Sequence, residues 1–252
     1  MIISGKTAFV TGGASGLGQA TVEMLHVAGA NVVFVDLDES LGTLLEEKLG
    51  KRAKFFKADV SSENDITFAI DEALKLFGSV DIAANIAGIA IQRRITGKKG
   101  AYPLADFNRV IQVNLVGTFN VMRLAATAMT KNEPNEHSER GVIVNTSSIA
   151  SYHGQPGQAA YAASKGGVNS LTLCAARDLA PMGIRVMTIA PGLFDTPIYK
   201  AVSKEIKDAL LEDTVMPKRF GTAAEFADAV KSIVENPMFN GEVIRLDGAV
   251  RF

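Results

Sequence analysis

The chain has 252 residues, of which 47% are hydrophobic and 21% are charged, and its formal net charge is −1. This composition is typical of a globular protein with a substantial core, and it excludes a disordered chain or a strongly basic protein. A net charge near zero gives no general attraction for nucleic acid or for an anionic membrane, so we expect neither as a partner.

The cysteine content and the first residues bear on the compartment. Cys174 is the only cysteine, so no intrachain disulfide forms, which favours a reducing compartment. We expect Cys174 to be a small buried side chain in a helix. No apolar run reaches the ~18 residues of a membrane span. Because Met1-Ile2-Ile3 leads directly into the first predicted strand, we expect no cleavable signal and a cytoplasmic protein, with an organellar matrix as the alternative.

Short apolar runs alternate with helical patterns along the whole chain. The runs are apolar at consecutive positions, as in parallel strands covered on both faces. The predicted strands are Thr7–Thr11, Asn31–Asp36, Lys54–Asp59, Asp81–Asn85, Gly141–Thr146, Arg185–Ala190 and Val243–Leu246. The predicted helices lie near residues 17–28, 40–49, 63–77, 104–131, 157–180 and 223–235. This alternation predicts an α/β fold with a single Rossmann-like, doubly wound parallel sheet of about seven strands flanked by helices.

We predict one domain over residues 1–252, because no repeat or Pro/Gly-rich linker divides the sequence. Two segments, 89–103 and 193–217, depart from the alternation, and in a parallel sheet such segments surround the ligand crevice. The second segment has a predicted amphipathic helical face, which forms either a substrate lid or ordinary packing. That face comprises Ile198, Val202, Ile206, Leu210 and Leu211.

A glycine-rich turn follows the first predicted strand and opens the first helix. It reads Thr11-Gly12-Gly13-Ala14-Ser15-Gly16-Leu17-Gly18. The glycines let the backbone approach a pyrophosphate, and the helix N-terminus provides N–H groups and a partial positive charge. A glycine turn also closes ordinary loops, but its place between a strand and a helix is typical of dinucleotide binding.

Asp36 ends the second predicted strand, twenty residues after Gly16. At this place a carboxylate hydrogen-bonds the adenosine ribose and repels a 2′-phosphate. Leu37 follows Asp36 and Ser15 precedes Gly16, so neither position has the basic residue that would bind NADP. The pattern favours NAD as the cofactor. The alternative is a strand-terminal Asp that caps a turn.

Tyr161 and Lys165 are four residues apart, with Ser148 thirteen residues before Tyr161. In a helix this spacing places the phenol and the ammonium on one face. Tyrosine normally ionises near pH ~10, and a neighbouring cation lowers that pKa towards the range of a neutral-pH acid/base. With a serine to hydrogen-bond a substrate oxygen, the trio suggests redox chemistry on a carbonyl or alcohol. The alternative is a simple contact on a helix surface.

Together these motifs resemble the short-chain dehydrogenase/reductase family along essentially the whole chain. The matching features are the glycine turn, Asp59-Val60, Asn85-Ile86-Ala87-Gly88, Asn114, Ser148, Tyr161, Lys165 and Pro191-Gly192 with Thr196. Ile86 departs from the family pattern, which has Asn there. The cofactor-binding residues that follow from the resemblance and the motifs are Gly12, Ser15, Gly16, Leu17, Gly18, Asp36, Asp59, Val60, Asn85, Ala87, Gly88, Tyr161, Lys165, Pro191, Gly192, Phe194 and Thr196.

The resemblance also implies a division of labour among four catalytic residues. Tyr161 exchanges the proton of the substrate hydroxyl, and Lys165 lowers the pKa of Tyr161 and binds the nicotinamide ribose. Ser148 orients the substrate oxygen. Asn114 holds a water that relays protons, whereas its spacing alone favours a hydrogen-bonded core residue. The expected substrate contacts are Ser148, Gln155, Tyr161 and Ile198.

Longer segments resemble one subgroup, whose members oxidise short and medium 3-hydroxyacyl-CoA thioesters and some hydroxysteroids with NAD. They include residues 132–134, 154–161, 177–181, 185–194 and 240–249, while Asp195 and Ile198-Tyr199 depart from the subgroup. The implied reaction converts 3-hydroxyacyl-CoA to 3-oxoacyl-CoA. The alternatives are a steroid, terpenoid or other apolar secondary alcohol as substrate, and a non-catalytic NAD-binding scaffold or sensor. The resemblance further implies a homotetramer, for which the helices at 104–131 and 157–180 offer apolar faces.

The remaining polar residues give weaker signals. His26, His137 and His153 show no ligand spacing, so we expect no metal site, and we interpret His153 as a solvated loop residue, with a position beside the substrate as the alternative. Four basic side chains in 89–103 are expected to be solvated, with a coenzyme A phosphate site as the alternative. These four are Arg93, Arg94, Lys98 and Lys99.

Overall fold

A parallel sheet forms the centre of the computed structural model, which describes residues 1–98, 100–196 and 204–251. The strands are β1 (Thr7–Thr11), β2 (Asn31–Asp36), β3 (Ala53–Lys57), β4 (Ile82–Asn85), β5 (Thr96–Gly97), β6 (Gly100–Ala101), β7 (Gly141–Thr146), β8 (Ile184–Pro191) and β9 (Val243–Leu246). Seven of them form the sheet in the order β3-β2-β1-β4-β7-β8-β9, with parallel pairing between neighbours. This confirms the predicted fold class.

Helices cover both faces of the sheet. They are α1 (Gly16–Val27), α2 (Glu39–Leu49), α3 (Glu63–Phe77), α4 (Leu104–Ile111), α5 (Thr118–Met129), α6 (Ala159–Leu179), α7 (Lys204–Leu211) and α8 (Ala223–Glu235). A π-helical turn, Gln112–Gly117, joins α4 to α5 in one continuous helix. Capping side chains start several helices, and α8 begins with a reciprocal capping box between Thr222 and Glu225.

Two hydrophobic layers explain why the strands are apolar at consecutive positions. Along β1, Val10 packs into the layer that holds α1 and α8, while Phe9 packs into the layer that holds α3 and α5. The same alternation recurs in β2, where Phe34 and Val35 face opposite layers and neither is exposed. Because side chains of successive strand residues point to opposite faces, burial on both faces requires an unbroken apolar run.

The strand order creates the ligand crevice. From β1 the chain winds to β2 and β3 on one side, then returns to β4 on the other side of β1. The loops that follow β1 and β4 therefore diverge, and an open parallel sheet binds ligands at this switch point. Thr11 and Asn85 are partners across β1 and β4, so the glycine turn and the loop after β4 leave the sheet side by side.

Most predicted boundaries agree with the structure to within one or two residues. β3 ends at Lys57 rather than at residue 59, so Asp59 and Val60 lie in the following loop. β7 ends at Thr146, and Ser148 lies two residues beyond it. The expectation of a buried Cys174 is wrong, because its thiol is exposed. Thr172 faces the core from α6, and two further residues turn the helix by about 200°, which directs Cys174 to the outside.

The two segments outside the alternation differ in their structure. Segment 89–103 contains the short antiparallel hairpin of β5 and β6. Segment 193–217 contains α7, while Ile198 and Val202 of its predicted apolar face lie outside the described residues. None of the helices in the described parts of the chain is long and apolar enough to cross a membrane.

Candidate active site

A cavity of about 840 Å³ lies at the carboxyl ends of the parallel strands. It runs from Asp36 and Leu37 at the end of β2 to Thr196 and Leu210 beyond β8. Seventeen of the residues predicted for the site line it. They are Gly12, Ser15, Gly16, Leu17, Gly18, Asp36, Asp59, Val60, Ala87, Gly88, Ser148, Gln155, Tyr161, Pro191, Gly192, Phe194 and Thr196.

The glycine turn forms a cradle that excludes side chains. A Cβ atom on Gly18 would lie 1.9 Å from the carbonyl oxygen of Gly12, and one on Gly12 would lie 2.9 Å from the backbone nitrogen of Ala87. Gly12 also has a φ of +65°, a conformation that L side chains rarely adopt. Thr11 holds the neighbouring loop in place, because its Oγ1 accepts hydrogen bonds from the N–H groups of Ile86 and Ala87.

The first turn of α1 faces this cradle. Within the described residues, the side chain of Ser15 makes no capping hydrogen bond at the start of the helix. The first N–H groups of a helix have no partners inside it, and they carry its partial positive charge. The residues present therefore fit the pyrophosphate of a dinucleotide.

Asp36 offers a fixed carboxylate at the far end of the cavity. Its Oδ2 accepts a hydrogen bond of 3.1 Å from the Ala14 N–H, and its Oδ1 accepts one of 2.7 Å from the Leu37 N–H. Oδ1 also accepts from the Asp38 N–H at 3.2 Å. Three backbone donors thus orient the carboxylate where a ribose would lie. The nearby Asp59 is oriented in a similar way by the N–H and hydroxyl of Ser61, at 2.9 and 2.7 Å.

Lys165 lies behind the cavity wall, beside Tyr161. Its Nζ donates a hydrogen bond of 2.7 Å to the Thr146 carbonyl and lies 5.8 Å from the centre of the Tyr161 ring. Only 3% of Lys165 is exposed, and this burial lowers its pKa to about 8. A cation at this position would favour ionisation of the neighbouring phenol.

Ser148 lines the same cavity as Tyr161 and is held by local structure. It caps the short 3₁₀ helix Ile149–Ser151, and its Oγ accepts a hydrogen bond of 3.1 Å from the Ala150 N–H. The preceding residue, Ser147, ties this loop to α6 by donating from Oγ to the Lys165 carbonyl at 3.0 Å. The serine loop and the Tyr161–Lys165 helix are thus joined directly.

Asn114 lies in the π-helical turn and is fully buried. Its Oδ1 accepts from the Ile89 N–H at 2.8 Å, and its Nδ2 donates to the Ile89 carbonyl at 2.9 Å and to Ser164 Oγ at 3.0 Å. The side chain therefore fastens the loop after β4 to α6. The water relay expected from the family resemblance stays a prediction.

Asn85, Asn114 and Lys165 do not line the cavity, although the sequence indicates them as site residues. Asn85 is 2% exposed, and its Nδ2 donates to Asn145 Oδ1 on the neighbouring strand at 2.8 Å. Ile198, the fourth expected substrate contact, lies outside the described residues. Among the described residues, no group of His, Cys, Asp and Glu could hold a metal ion.

Several residues that line the cavity were not predicted from the sequence. Arg109 of α4 and Val113 of the π-helical turn line the cavity, and their i,i+4 spacing before Asn114 was an available signal. Gln158 also lines it, and its Oε1 accepts from the Gln155 N–H at 3.1 Å. His153 lies on the cavity wall and is half-buried, which favours the alternative position beside the substrate.

Known proteins with the same fold match this chain over nearly its full length. A 3-hydroxyacyl-CoA dehydrogenase type-2 from Bos taurus is 53% identical over 251 residues, covering 99% of this chain and 96% of that protein. An ipsdienol dehydrogenase from Ips pini is 35% identical and covers 96% of this chain and 95% of that protein.

A solved structure and a family model agree with these relatives. The crystal structure of 3-hydroxyacyl-CoA dehydrogenase type-2 from Mycobacterium avium is similar at a TM-score of 0.94 with 46% identity, covering 98% of this chain and 96% of that one. The sequence model of the short chain dehydrogenase family matches residues 6–207. The chain therefore belongs to the short-chain dehydrogenase family and is an oxidoreductase that works with a nicotinamide dinucleotide, NAD or NADP.

Proposed function

We propose that the protein interconverts a secondary alcohol and a ketone with NAD, and that its substrate is a 3-hydroxyacyl-CoA thioester. The observation that carries the proposal is the position of Lys165. Its buried ammonium lies 5.8 Å from the Tyr161 ring, behind the wall of a cavity that also contains the glycine cradle. A protein that only binds a dinucleotide has no use for this acid/base pair.

In the oxidation direction, Tyr161 acts as a phenolate and takes the proton of the substrate hydroxyl. Lys165 makes the phenolate accessible near neutral pH, because a cation beside it favours the ionised form. Ser148 hydrogen-bonds the substrate oxygen and stabilises the charge that develops on it. A bound nicotinamide would supply the hydride acceptor for the carbon that bears the hydroxyl.

The preference for NAD rests on the adenosine end of the cavity. The three backbone N–H groups that orient Asp36 keep its carboxylate in place for the ribose hydroxyls. A 2′-phosphate at the same place would meet a like charge, and Leu37 supplies no basic group to compensate. The first turn of α1 and the backbone around Gly12 would hold the pyrophosphate.

The choice of an acyl-CoA substrate rests on the relatives and on the cavity mouth. Proteins named 3-hydroxyacyl-CoA dehydrogenase type-2 from Bos taurus and Homo sapiens are 53% and 52% identical to this chain. Arg94 and Lys98 are exposed and follow Gln92, a cavity-lining residue, by two and six positions, and Arg109 lines the cavity itself. Arg93 is partly neutralised, because its Nε lies 3.1 Å from Asp106 Oδ2. Lys99, the fourth residue of the basic cluster, lies outside the described residues.

The walls of the cavity suit the acyl chain. Apolar side chains line it on the substrate side, and Gln155 adds a polar contact for the thioester or the pantetheine. The apolar lining residues include Ile89, Ile149, Leu193 and Leu210. Leu210 belongs to α7, which supports the interpretation of segment 193–217 as a substrate lid.

We further propose a homotetramer in a reducing compartment, either the cytoplasm or an organellar matrix. Large apolar side chains are exposed on the two helices that the sequence indicates as interface elements, with Val116 at 40%, Phe119 at 47% and Leu173 at 46%. A tetramer built through these faces would cover them. The single exposed thiol, Cys174, favours a compartment that keeps it reduced.

The test is NADH formation from NAD with a panel of alcohols. The panel contains 3-hydroxybutyryl-CoA, a longer 3-hydroxyacyl-CoA, a hydroxysteroid and apolar secondary alcohols, with NADP in parallel. We expect turnover of the CoA thioesters with NAD. Turnover of free alcohols alone would contradict the acyl-CoA substrate but would support the alcohol–ketone chemistry. Binding of NADH without turnover of any alcohol would instead favour a non-catalytic scaffold or sensor.

A further inference from the structure

His153 lies on the cavity wall in a fixed relation to Ser148. The 3₁₀ helix that Ser148 caps is followed directly by Tyr152 and His153. The backbone N–H of His153 donates to the Ile149 carbonyl at 2.9 Å, which closes this short turn. His153 and Ser148 therefore lie five residues apart on the wall of the same cavity.

Arg245, at the other end of the chain, holds the imidazole of His153. Its Nη1 lies 3.2 Å from His153 Nε2. The guanidinium itself has little freedom. It pairs with Asp247 at 2.7 and 2.8 Å, donates to the Val250 carbonyl at 3.2 Å and lies 5.0 Å from the centre of the Tyr152 ring.

This contact determines which imidazole nitrogen carries the proton. A guanidinium group donates hydrogen bonds through its N–H groups and accepts none. His153 Nε2 must therefore be the acceptor in this contact. The tautomer that accepts at Nε2 carries its proton on Nδ1. Protonation of both nitrogens would put two cations in contact at 3.2 Å. Among the described residues, Nδ1 has no hydrogen-bond partner, which leaves one donor for a ligand.

We propose that His153 is a specificity-determining residue that donates from Nδ1 to the thioester carbonyl oxygen of the substrate. The inference rests on the proposed acyl-CoA function. Tyr161 and Ser148 hold the reacting oxygen, and a 3-hydroxyacyl thioester has a second oxygen two carbons away. A neutral donor suits this carbonyl, because it binds the oxygen without introducing a second charge beside the reacting hydroxyl. Arg245 is the positioning residue that sets the tautomer.

Two versions of the substrate isolate this hydrogen bond. The first is 3-oxobutyryl-CoA, and the second is S-(3-oxobutyl)-CoA, a thioether in which a methylene replaces the thioester carbonyl. Both keep the ketone and the whole of coenzyme A. Their reduction by NADH is compared in the wild type, His153→Leu and His153→Asn, because the Asn amide keeps a donor at the δ position. Tyr152→Phe is the matched control, since it retains the ring beside Arg245.

We expect His153→Leu to lose about 5- to 10-fold in kcat/KM for the thioester, the value of one neutral hydrogen bond, and to stay within about twofold for the thioether. His153→Asn should recover most of the loss, and Tyr152→Phe should change neither substrate. Arg245→Gln should reproduce the thioester-specific loss in part, which a packing defect alone would not do. NADH affinity and Tm, measured alongside, should remain near wild type in the His153 variants.

Two kinds of result would overturn the assignment in distinguishable ways. Equal losses on both substrates, or an Asn variant as impaired as the Leu variant, would show that His153 only ties the serine loop to the C-terminal segment. A wild-type enzyme that reduces neither CoA compound would refute the proposed acyl-CoA function, and the role of His153 would fall with it.

Discussion

The two ends of the cavity are built in different ways. At the cofactor end, backbone groups form the surface, and the glycines around Gly12 and Gly18 leave no space for side chains. At the substrate end, side chains from separate segments meet, including Gln155, Leu210 and Arg109. The backbone end is therefore fixed by local sequence and tolerates few changes. The side-chain end can change its ligand through single substitutions, while the proposed acid/base pair between the two ends would keep the chemistry constant.

The largest effect is expected at the backbone end, from Gly18→Ala. The added Cβ would lie 1.9 Å from the Gly12 carbonyl oxygen, so the turn must move and lose its complementarity to a pyrophosphate. We expect loss of measurable NADH binding by fluorescence titration, together with a lower Tm. The control is Gly97→Ala, where nothing lies within 4 Å of the added Cβ. Normal NADH affinity in Gly18→Ala would contradict the proposal that the glycine turn binds the pyrophosphate.

Tyr161→Phe tests the junction between the two ends. It removes the hydroxyl that exchanges the proton, while the ring beside Lys165 remains. We expect kcat to fall by about 10²- to 10⁴-fold, the usual contribution of a general acid/base, with NADH affinity nearly unchanged. Steady-state kinetics and a binding titration on the same preparation measure kcat and NADH affinity separately. Near-normal turnover would refute the acid/base role, and Ser148→Ala should be less severe, at about 10²–10³-fold.

The double change Asp36→Ala with Leu37→Arg tests cofactor preference. It removes the negative charge at the ribose and adds a group that pairs with a phosphate. We expect the ratio of kcat/KM for NAD over NADP to fall by at least about 10-fold. Leu37→Gln alone is the control for the change at position 37. If the unmodified enzyme already prefers NADP, the argument from Asp36 is wrong.

A smaller effect is expected from the mouth of the substrate end. Arg94→Gln with Lys98→Gln removes two exposed charges, and exposed ion pairs contribute little individually. We expect KM for 3-hydroxybutyryl-CoA to rise roughly fivefold, and KM for a small secondary alcohol to stay constant. The variants Lys48→Gln and Lys57→Gln, on the cofactor side, serve as controls. An equal rise for both substrates would eliminate a coenzyme A phosphate site.

The last effect concerns the free energy of unfolding and its dependence on pH. Burial lowers the pKa of Lys165 from 10.5 to about 8, so between these values the unfolded chain holds a proton that the folded protein has lost. The contribution of this group to the free energy of unfolding must therefore increase with pH across that window. Urea unfolding of the apoprotein should show this increase relative to Lys165→Met. The exposed-site variant Lys131→Met is the control, and parallel curves for wild type and Lys165→Met would contradict the assignment.

The contrast between the two ends also explains which features could be predicted from the sequence. Apolar runs and the Gly12–Gly18 turn are local patterns, so the sheet, its helices and the cofactor cradle were predictable to within one or two residues. Cys174 was misplaced because α6 has no strongly one-sided apolar pattern from which to infer its outer face. The burial of Asn85 behind the wall depends on its hydrogen bond to Asn145, sixty residues away.

His153 is the clearest example of a substrate-end residue whose environment could not be predicted from the sequence. Its environment is set by Arg245, which is ninety-two residues away in sequence, and no local pattern connects the two. Arg109 was within reach of a periodicity argument, since it stands one helical turn before Val113. The sequence showed that segment 89–103 is basic, but it could not show which of its basic residues form ion pairs within the protein. Arg93, for example, pairs with Asp106.

The π-helical turn between α4 and α5 makes the cavity wall sensitive to residue count. Each residue of an α-helix turns the chain by about 100°, and a π turn accommodates one residue more than the α-helical pattern does. Deleting a single residue from Gln112–Gly117 would replace the wide turn with regular α-helical bonding and change which residues of this segment face the cavity. Val113, which lines the cavity, and the buried Asn114 would then lose their present orientations although neither had changed. In this segment, insertions and deletions should be far more harmful than substitutions.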